Sequence, residues 1–437
     1  MFFEKGQRSK VKGQIAVWTI LLTVVQAHAQ SRPAVFPQLD SLVAIAVHNN
    51  PEIQMARYQS MAAQAKIDPA GTLPDPQLTV GAMNFPTDFN FTSETMTMVP
   101  EFTLMEMFPS FGKLSSAADV EKYGYESSAD RLASVTLDVV TNLKQVYSQI
   151  YRVEKSIQYL EYKKRLLQSV VKVAEQLFAV GQVPQQDVFR ATAELTMVQS
   201  GIITMQGKLS DLEAKLGAIL GKNASYSIKV DTLSLPKLES LSTLVARLRS
   251  DNPDLRQVKN IERAAVAKQV YAKKAAIPDI TAGVSYGFRG ALMSTGMKAP
   301  NLMSVEVGLS LPIFFGARQQ KTIDEADFMQ RAANEQYGSV SLALDSRLRS
   351  TYADAEAQAK LIPLYSKELI PQYEATYNSS LSSYSVGKTT FAMLIDNLST
   401  LINTKIEFAK IESEYFSASA EISKLVGEGS EDYRGVK

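Results

Sequence analysis

One signature occurs twice in this chain, in the same order and at an almost constant separation. Asn50-Pro51-Glu52-Ile53 returns as Asn252-Pro253-Asp254-Leu255, and Pro74-Asp75-Pro76-Gln77-Leu78-Thr79 returns loosely as Pro278-Asp279-Ile280-Thr281. Pro109-Ser110-Phe111-Gly112 is matched by Pro312-Ile313-Phe314-Phe315-Gly316, and Phe178-Ala179-Val180-Gly181 by Tyr384-Ser385-Val386-Gly387. Leu220-Gly221 closes the first copy as Val426-Gly427 closes the second. The separations all fall between 202 and 206 residues. Chance matches would scatter, so the fold is one structural unit written twice.

Each copy has the same plan. A helix opens it, at about 39–68 and 241–275, followed by two strand-like segments at about 76–86 and 96–107, and 278–289 and 302–312. A long helical tract follows, about 113–179 and 317–385, then a glycine-marked turn and a last helix, about 184–220 and 390–426. The division expected is a signal peptide 1–29, a first repeat 30–221, a connector 222–240, a second repeat 241–427 and a tail 428–437. The connector, which contains Pro236, reads as an ordered link or a short extra strand.

The second strand pair shows its character plainly. Ile280, Ala282, Val284, Tyr286 and Phe288 alternate with Thr281, Gly283, Ser285, Gly287 and Arg289. Met303, Val305, Val307, Leu309 and Leu311 alternate with Ser304, Glu306, Gly308 and Ser310. Period-two alternation puts apolar groups on one face and small or polar groups on the other. Segments of about 9–11 residues cross a bilayer when tilted, although alternation alone also suits a hairpin on a soluble domain. Four strands cannot close a membrane barrel, and open strand edges are forbidden in lipid. If these strands enter a membrane, several chains must share one barrel.

The helical tracts carry heptads. Val139, Val146, Val153, Leu160, Leu167 and Ala174 form one seam. Leu143, Ile150, Ile157, Lys164, Val171 and Phe178 form its partner, interrupted only at Lys164. Such spacing signals coiled-coil packing, and a tract of this length extends roughly 100 Å at ~1.5 Å per residue. The second tract repeats the pattern with Leu348, Ala355, Ile362 and Leu369 against Tyr352, Ala359 and Tyr373. Pro363 and Pro371 should kink or divide it. A structural coiled-coil protein of the envelope would show the same heptads but leaves the interposed strands unexplained.

Composition closes several classes. Lys5, Arg8, Lys10 and Lys12 precede the apolar run 15–25, and Ala27-His28-Ala29 fits a cleavage site, so the N-terminus reads as a secretory signal rather than a retained anchor. The whole chain carries a net charge of +1, which leaves no electrostatic footprint for nucleic acid. There is no cysteine, hence no disulfide and no lipid anchor through cysteine. His28 and His48 are the sole histidines, which removes His/Cys zinc sites and nearly removes a His-based triad. Carboxylates stand on helices at solvated spacings without a nucleophile or base beside them, so no catalytic residue, metal site or cofactor is expected.

Taken in order, the duplicated Asn-Pro pairs, the Pro/Gly-marked strand-to-helix junctions and the two Val-Gly turns resemble the TolC-like outer-membrane efflux protein family over essentially the whole mature chain. The resemblance implies an α+β membrane fold. Four β-strands per chain would contribute to a trimeric 12-stranded outer-membrane β-barrel, continued by a long coiled-coil α-helical periplasmic tube. It implies the outer membrane of a Gram-negative envelope as location, with extension into the periplasm and contact with outer-membrane lipid. It also implies a homotrimer working with a periplasmic adaptor (membrane fusion) protein and an inner-membrane efflux pump. Met83, Met96, Met98, Met105 and Met107 incline the resemblance toward the heavy-metal cation branch. Thioethers are soft ligands for copper(I), while adaptable apolar packing is the plainer reading of the same residues. A multidrug or protein-secretion duct remains the alternative.

In this family the Val-Gly turns are periplasmic tips that meet the adaptor. Val180, Gly181, Gln182, Val386, Gly387 and Lys388 are therefore the docking candidates. Asp396, nine residues past Gly387, would form a ring of three carboxylates near the periplasmic end, a device that favours cations and can gate a pore. Met393 stands where the family often has a second acidic residue, and Asp187 is the first-copy counterpart candidate.

Overall fold

The computed structural model describes residues 39–83, 99–289 and 300–434. The signal segment, Met96 and Met98, the strand loop 88–94 and most of the loop 290–301 lie outside the described residues. The first copy runs α1 (Leu39–Asn49), α2 (Pro51–Gln64), α3 (Ile67–Gly71), β1 (Gln77–Met83), β2 (Val99–Phe108), α4 (Lys113–Ala179) and α5 (Gln185–Ile219). The second runs α6 (Leu241–Asp251), α7 (Pro253–Lys274), β3 (Ile280–Gly287), β4 (Leu302–Leu309) and α8 (Gln319–Leu364). It continues through a π-helical turn (Tyr365–Leu369) to α9 (Ile370–Ser385) and α10 (Phe391–Leu425). The short α11 (Ser430–Arg434) follows.

The opening helix expected in each copy is broken in two at the Asn-Pro pair. Asn50 is extended (φ −67°, ψ 125°) and its side-chain oxygen accepts the N–H groups of Glu52 and Ile53. Asn252 does the same for Leu255 at 2.9 Å. An asparagine cap followed by proline at the first helical position starts a new helix, since proline lacks only a donor that the first turn cannot use. Each asparagine also donates its amide back to the last helix of its own copy: Asn50 to Ile219 O and Asn252 to Leu425 O, both at 2.9 Å.

The paired glycines belong to this closure. Gly221 and Gly427 have φ of +68°, and a Cβ there would stand 2.4 Å from Asn49 O and 2.2 Å from Asp251 O respectively. Only glycine allows both the left-handed turn and the close approach. The recurrence of Asn-Pro with Leu-Gly or Val-Gly is thus one lock, made twice.

The four strands form one antiparallel sheet in the order β1-β2-β3-β4, so the two copies are joined by β2 and β3. The heptad residues Leu143, Ile150, Leu167 and Ala174 are fully buried on α4, whereas Phe178 near its end is 43% exposed. The connector 222–240 forms no strand. It is ordered by burial of Ile228 and Val230 in the core and by the Val230 N–H, which donates to Glu154 Oε2 at 2.7 Å. Of the two prolines expected to kink or divide the second long tract, Pro363 stays inside α8, whereas before Pro371 the chain widens by one residue, with Ile370 N–H reaching back to Tyr365 O.

Candidate functional site

The sheet has one apolar face. The register aligns Leu78, Leu104, Val284 and Val305 across all four strands, and Val80, Phe102, Tyr286 and Met303 in the next row. All eight are exposed, Met303 and Val305 to 70% and 69%. A contiguous apolar sheet surface of this kind faces lipid or a partner rather than water. Glu106 is the exception, opposite Ala282 in the row next to Phe108. Phe111, Ile313 and Phe314, exposed at the strand-to-helix turns, continue the band toward the helices, where interfacial aromatic girdles lie.

The opposite face is small and polar. Thr79, Thr103, Ser285 and Ser304 form one row, and Gln77, Met105, Gly283 and Glu306 another. Met83, Met107 and Glu101 share this face. Three of the methionines singled out in the sequence therefore point away from the apolar side, and Met303 points toward it.

A polar knot holds the sheet to the helices. Asp279 accepts the Ser110 N–H at 2.8 Å and pairs with Lys113 at 2.7 Å, while Lys274 Nζ donates to Gly112 O at 3.1 Å. Partial burial opposes the Asp279 charge, yet these donors hold its carboxyl below the ordinary value. Asp279, from the Pro-Asp motif of the second copy, thus fastens the strand-to-helix turn of the first.

At the other end lie the tips. Gly181 and Gly387 take φ of +75° and +71°. Each is followed by the paired back-bonds of a glycine helix stop: Gly181 N–H to Phe178 O and Gln182 N–H to Leu177 O, Gly387 N–H to Tyr384 O and Lys388 N–H to Ser383 O, at 2.9–3.0 Å. Val180 and Val386 are 67% and 65% exposed, and Gln182 and Lys388 are exposed beside them. Six candidate docking residues are therefore displayed at two matched turns. Behind them Tyr384 packs edge-on against Phe391 and is fully buried with Leu394 and Leu398.

The two acidic candidates are not equivalent. Asp187 is the third residue of α5 and Asp396 the sixth of α10, helices of equal length. Met393 therefore occupies the position of Asp187, and Arg190 that of Asp396, which corrects the expected correspondence. Asp396 is exposed on α10. Asp187 lies close enough to Tyr384 to add to the rise that burial imposes on its hydroxyl.

The expectation that carboxylates are solvated also needs correction. Asp130 is fully buried, with Arg256 Nε at 3.2 Å and Asn260 donating at 2.8 Å. Glu412 on α10 accepts the Tyr151 hydroxyl at 2.6 Å. Burial pushes Glu412 and Glu154 above their ordinary values, in the second case against the Val230 N–H. These groups meet partners more than 75 residues away in sequence, so helical spacing could not reveal them. Among the described residues no helix is long and apolar enough to cross a membrane.

Comparison with known proteins agrees with this geometry. A family model described as outer membrane efflux protein matches residues 42–222 and again 244–428. Outer membrane protein TolC of Escherichia coli (strain K12) is 22% identical over 402 residues, covering 87% of this chain and 80% of its own. The cation efflux system protein CusC of Escherichia coli O157:H7 is 22% identical over 311 residues, 69% of this chain and 66% of its own. A solved structure of CusC, described in terms of folding and transmembrane channel formation, superposes with a TM-score of 0.75 at 18% identity, covering 90% of this chain and 92% of that one. Barrel strands continued by long paired helices are thus the fold of this chain, which is not an enzyme. It belongs to the outer membrane efflux protein family, as a TolC-like efflux channel of the Gram-negative outer membrane that reaches into the periplasm.

Proposed function

We propose that three copies close one barrel and serve as the passive exit duct of a tripartite efflux system. One observation carries the reading: among the described residues, a four-stranded sheet has both edge strands unpaired and one face apolar and exposed. Unpaired edges in hydrocarbon leave backbone groups without partners. Two copies would supply eight strands, whose interior is filled by side chains, whereas twelve leave room for passage. The duct is exported under its N-terminal signal. It meets a periplasmic adaptor at Val180, Gly181, Gln182, Val386, Gly387 and Lys388, and takes cargo from an inner-membrane pump. Asp396, with Asp187 nearer the turn, supplies carboxylates at the periplasmic end.

The cargo class we assign is metal cations. Met83, Met105 and Met107 share the inner face with Glu101 and Glu306, a mixture of soft and anionic groups compatible with such passage, and one relative is a cation efflux protein. A deletion strain tested against copper, silver, zinc, cobalt and common drugs decides it. Sensitisation to cations restored by the wild-type chain is expected. Sensitisation to drugs alone overturns the cargo, and no sensitisation at all overturns the efflux role.

A further inference from the structure

The apolar face of the sheet holds one charge that no described residue neutralises. Along all four strands the described side chains of this face are apolar or aromatic, except Glu106 on β2. β2 lies inside the strand order, so this carboxylate stands away from the open edges β1 and β4. Across the sheet it is level with Ala282 and Val307. Leu104, Val284 and Val305 form the apolar row on one side of it, and Phe108, Ile280 and Leu309 the row on the other. Among the described residues Glu106 has neither a hydrogen bond nor an ion pair from its side chain. Glu101 and Glu306 differ, because they lie on the opposite, polar face, where water in the bore solvates them.

The depth of Glu106 follows from the chain path. β2 runs through Pro109–Gly112 into α4, so the row of Phe108 marks the periplasmic end of the sheet. Glu106 stands two residues short of it, about 5 Å along the membrane normal for a strand rising ~3.4 Å per residue and tilted ~45°. Phe111, Ile313 and Phe314 are exposed beyond that end, as the side chains that mark a headgroup region are. Glu106 is therefore placed where the headgroups of the periplasmic leaflet meet hydrocarbon. An ionised carboxylate there requires a cation or hydrogen-bond donors.

The lipid itself carries both. A primary ammonium headgroup has a positive charge and three N–H donors, and its own acyl chains hold it at this depth against the flanking apolar rows. Ala282, reduced to a methyl group, leaves room beside Glu106 for such a headgroup. A quaternary ammonium has the same charge but no donor. We propose that Glu106 binds the primary ammonium of a zwitterionic aminophospholipid in the periplasmic leaflet, one per chain. The proposal rests on the reading of this face as the lipid-facing wall of a barrel, and adds a headgroup preference to it.

Nanodiscs containing equal parts of phosphatidylethanolamine and phosphatidylcholine with identical chains test it on the full-length protein. The two lipids share phosphate, net charge and chains, so the amine alone distinguishes them. Native mass spectrometry identifies the lipids that stay bound when the protein is released. Wild type should retain phosphatidylethanolamine several-fold over phosphatidylcholine. Glu106→Gln and Glu106→Leu should abolish that excess with trimer mass and helix ellipticity unchanged, and Glu101→Gln, on the bore side, should keep it. Equal retention by wild type overturns the proposal, as does an excess that survives both Glu106 variants. Loss of the excess in Glu101→Gln as well would trace it to overall charge and overturn the site. A wild-type protein that does not enter the nanodiscs overturns the barrel reading and this proposal together.

Discussion

Asn252→Ala removes two interactions at once. The side-chain oxygen accepts Leu255 N–H at 2.9 Å, the amide donates to Leu425 O at 2.9 Å, and the residue is 2% exposed. Loss of the cap costs about 1 kcal/mol. Loss of the amide leaves a buried carbonyl unpaired, at about 1–3 kcal/mol. The expected destabilisation is therefore about 2–4 kcal/mol. Asn252→Ser separates the parts, since serine caps well but cannot reach Leu425 O, and it should recover about 1 kcal/mol. Asn50→Ala should cost the same order, because its bonds to Glu52, Ile53 and Ile219 repeat the arrangement. Urea unfolding of detergent-solubilised protein, followed by helix ellipticity at a common slope, measures the shifts. A midpoint for Asn252→Ala equal to wild type, or a serine variant no better than alanine, refutes the two-bond account.

At the tips, Gly387→Pro forces φ from +71° to about −65°. It should abolish co-purification with the adaptor while leaving trimer mass unchanged, and retained co-purification argues against tip docking. Glu412 tests pH dependence. Burial raises its folded value above the ordinary 4.5 despite the Tyr151 hydrogen bond, so the folded state keeps a proton that the unfolded state releases, and stability falls as pH rises through that window. Glu412→Gln should remove this decline from pH-resolved melting curves, and an unchanged profile contradicts the burial argument. Asp396→Ala should reduce cation selectivity of single channels in planar bilayers, with unaltered selectivity and conductance removing Asp396 from the gate.

Much of the architecture was legible because it is periodic. The duplication, the seven-residue seam ending at Ala174 and the alternation of Ile280 to Gly287 each repeat a short rule that the fold obeys locally. The break at Asn50-Pro51 was legible too, since an asparagine cap before proline marks a helix start. What the asparagine amides do was not legible, because Ile219 and Leu425 are brought to them by tertiary packing at separations of 169 and 173 residues. Glu412 and Asp130 were hidden for the same reason. At the tips, the glycine turns followed from the repeated spacing and the flanking valines from the resemblance, while the different helix positions of Asp187 and Asp396 emerged once both helix starts were placed.

The central claim is that four strands with open edges oblige several chains to complete one duct. Native mass spectrometry of the protein released from outer membranes in detergent tests it most directly. A particle of three mature chains is the result expected. A single chain, or a two-chain particle whose eight strands leave no bore, would contradict the account.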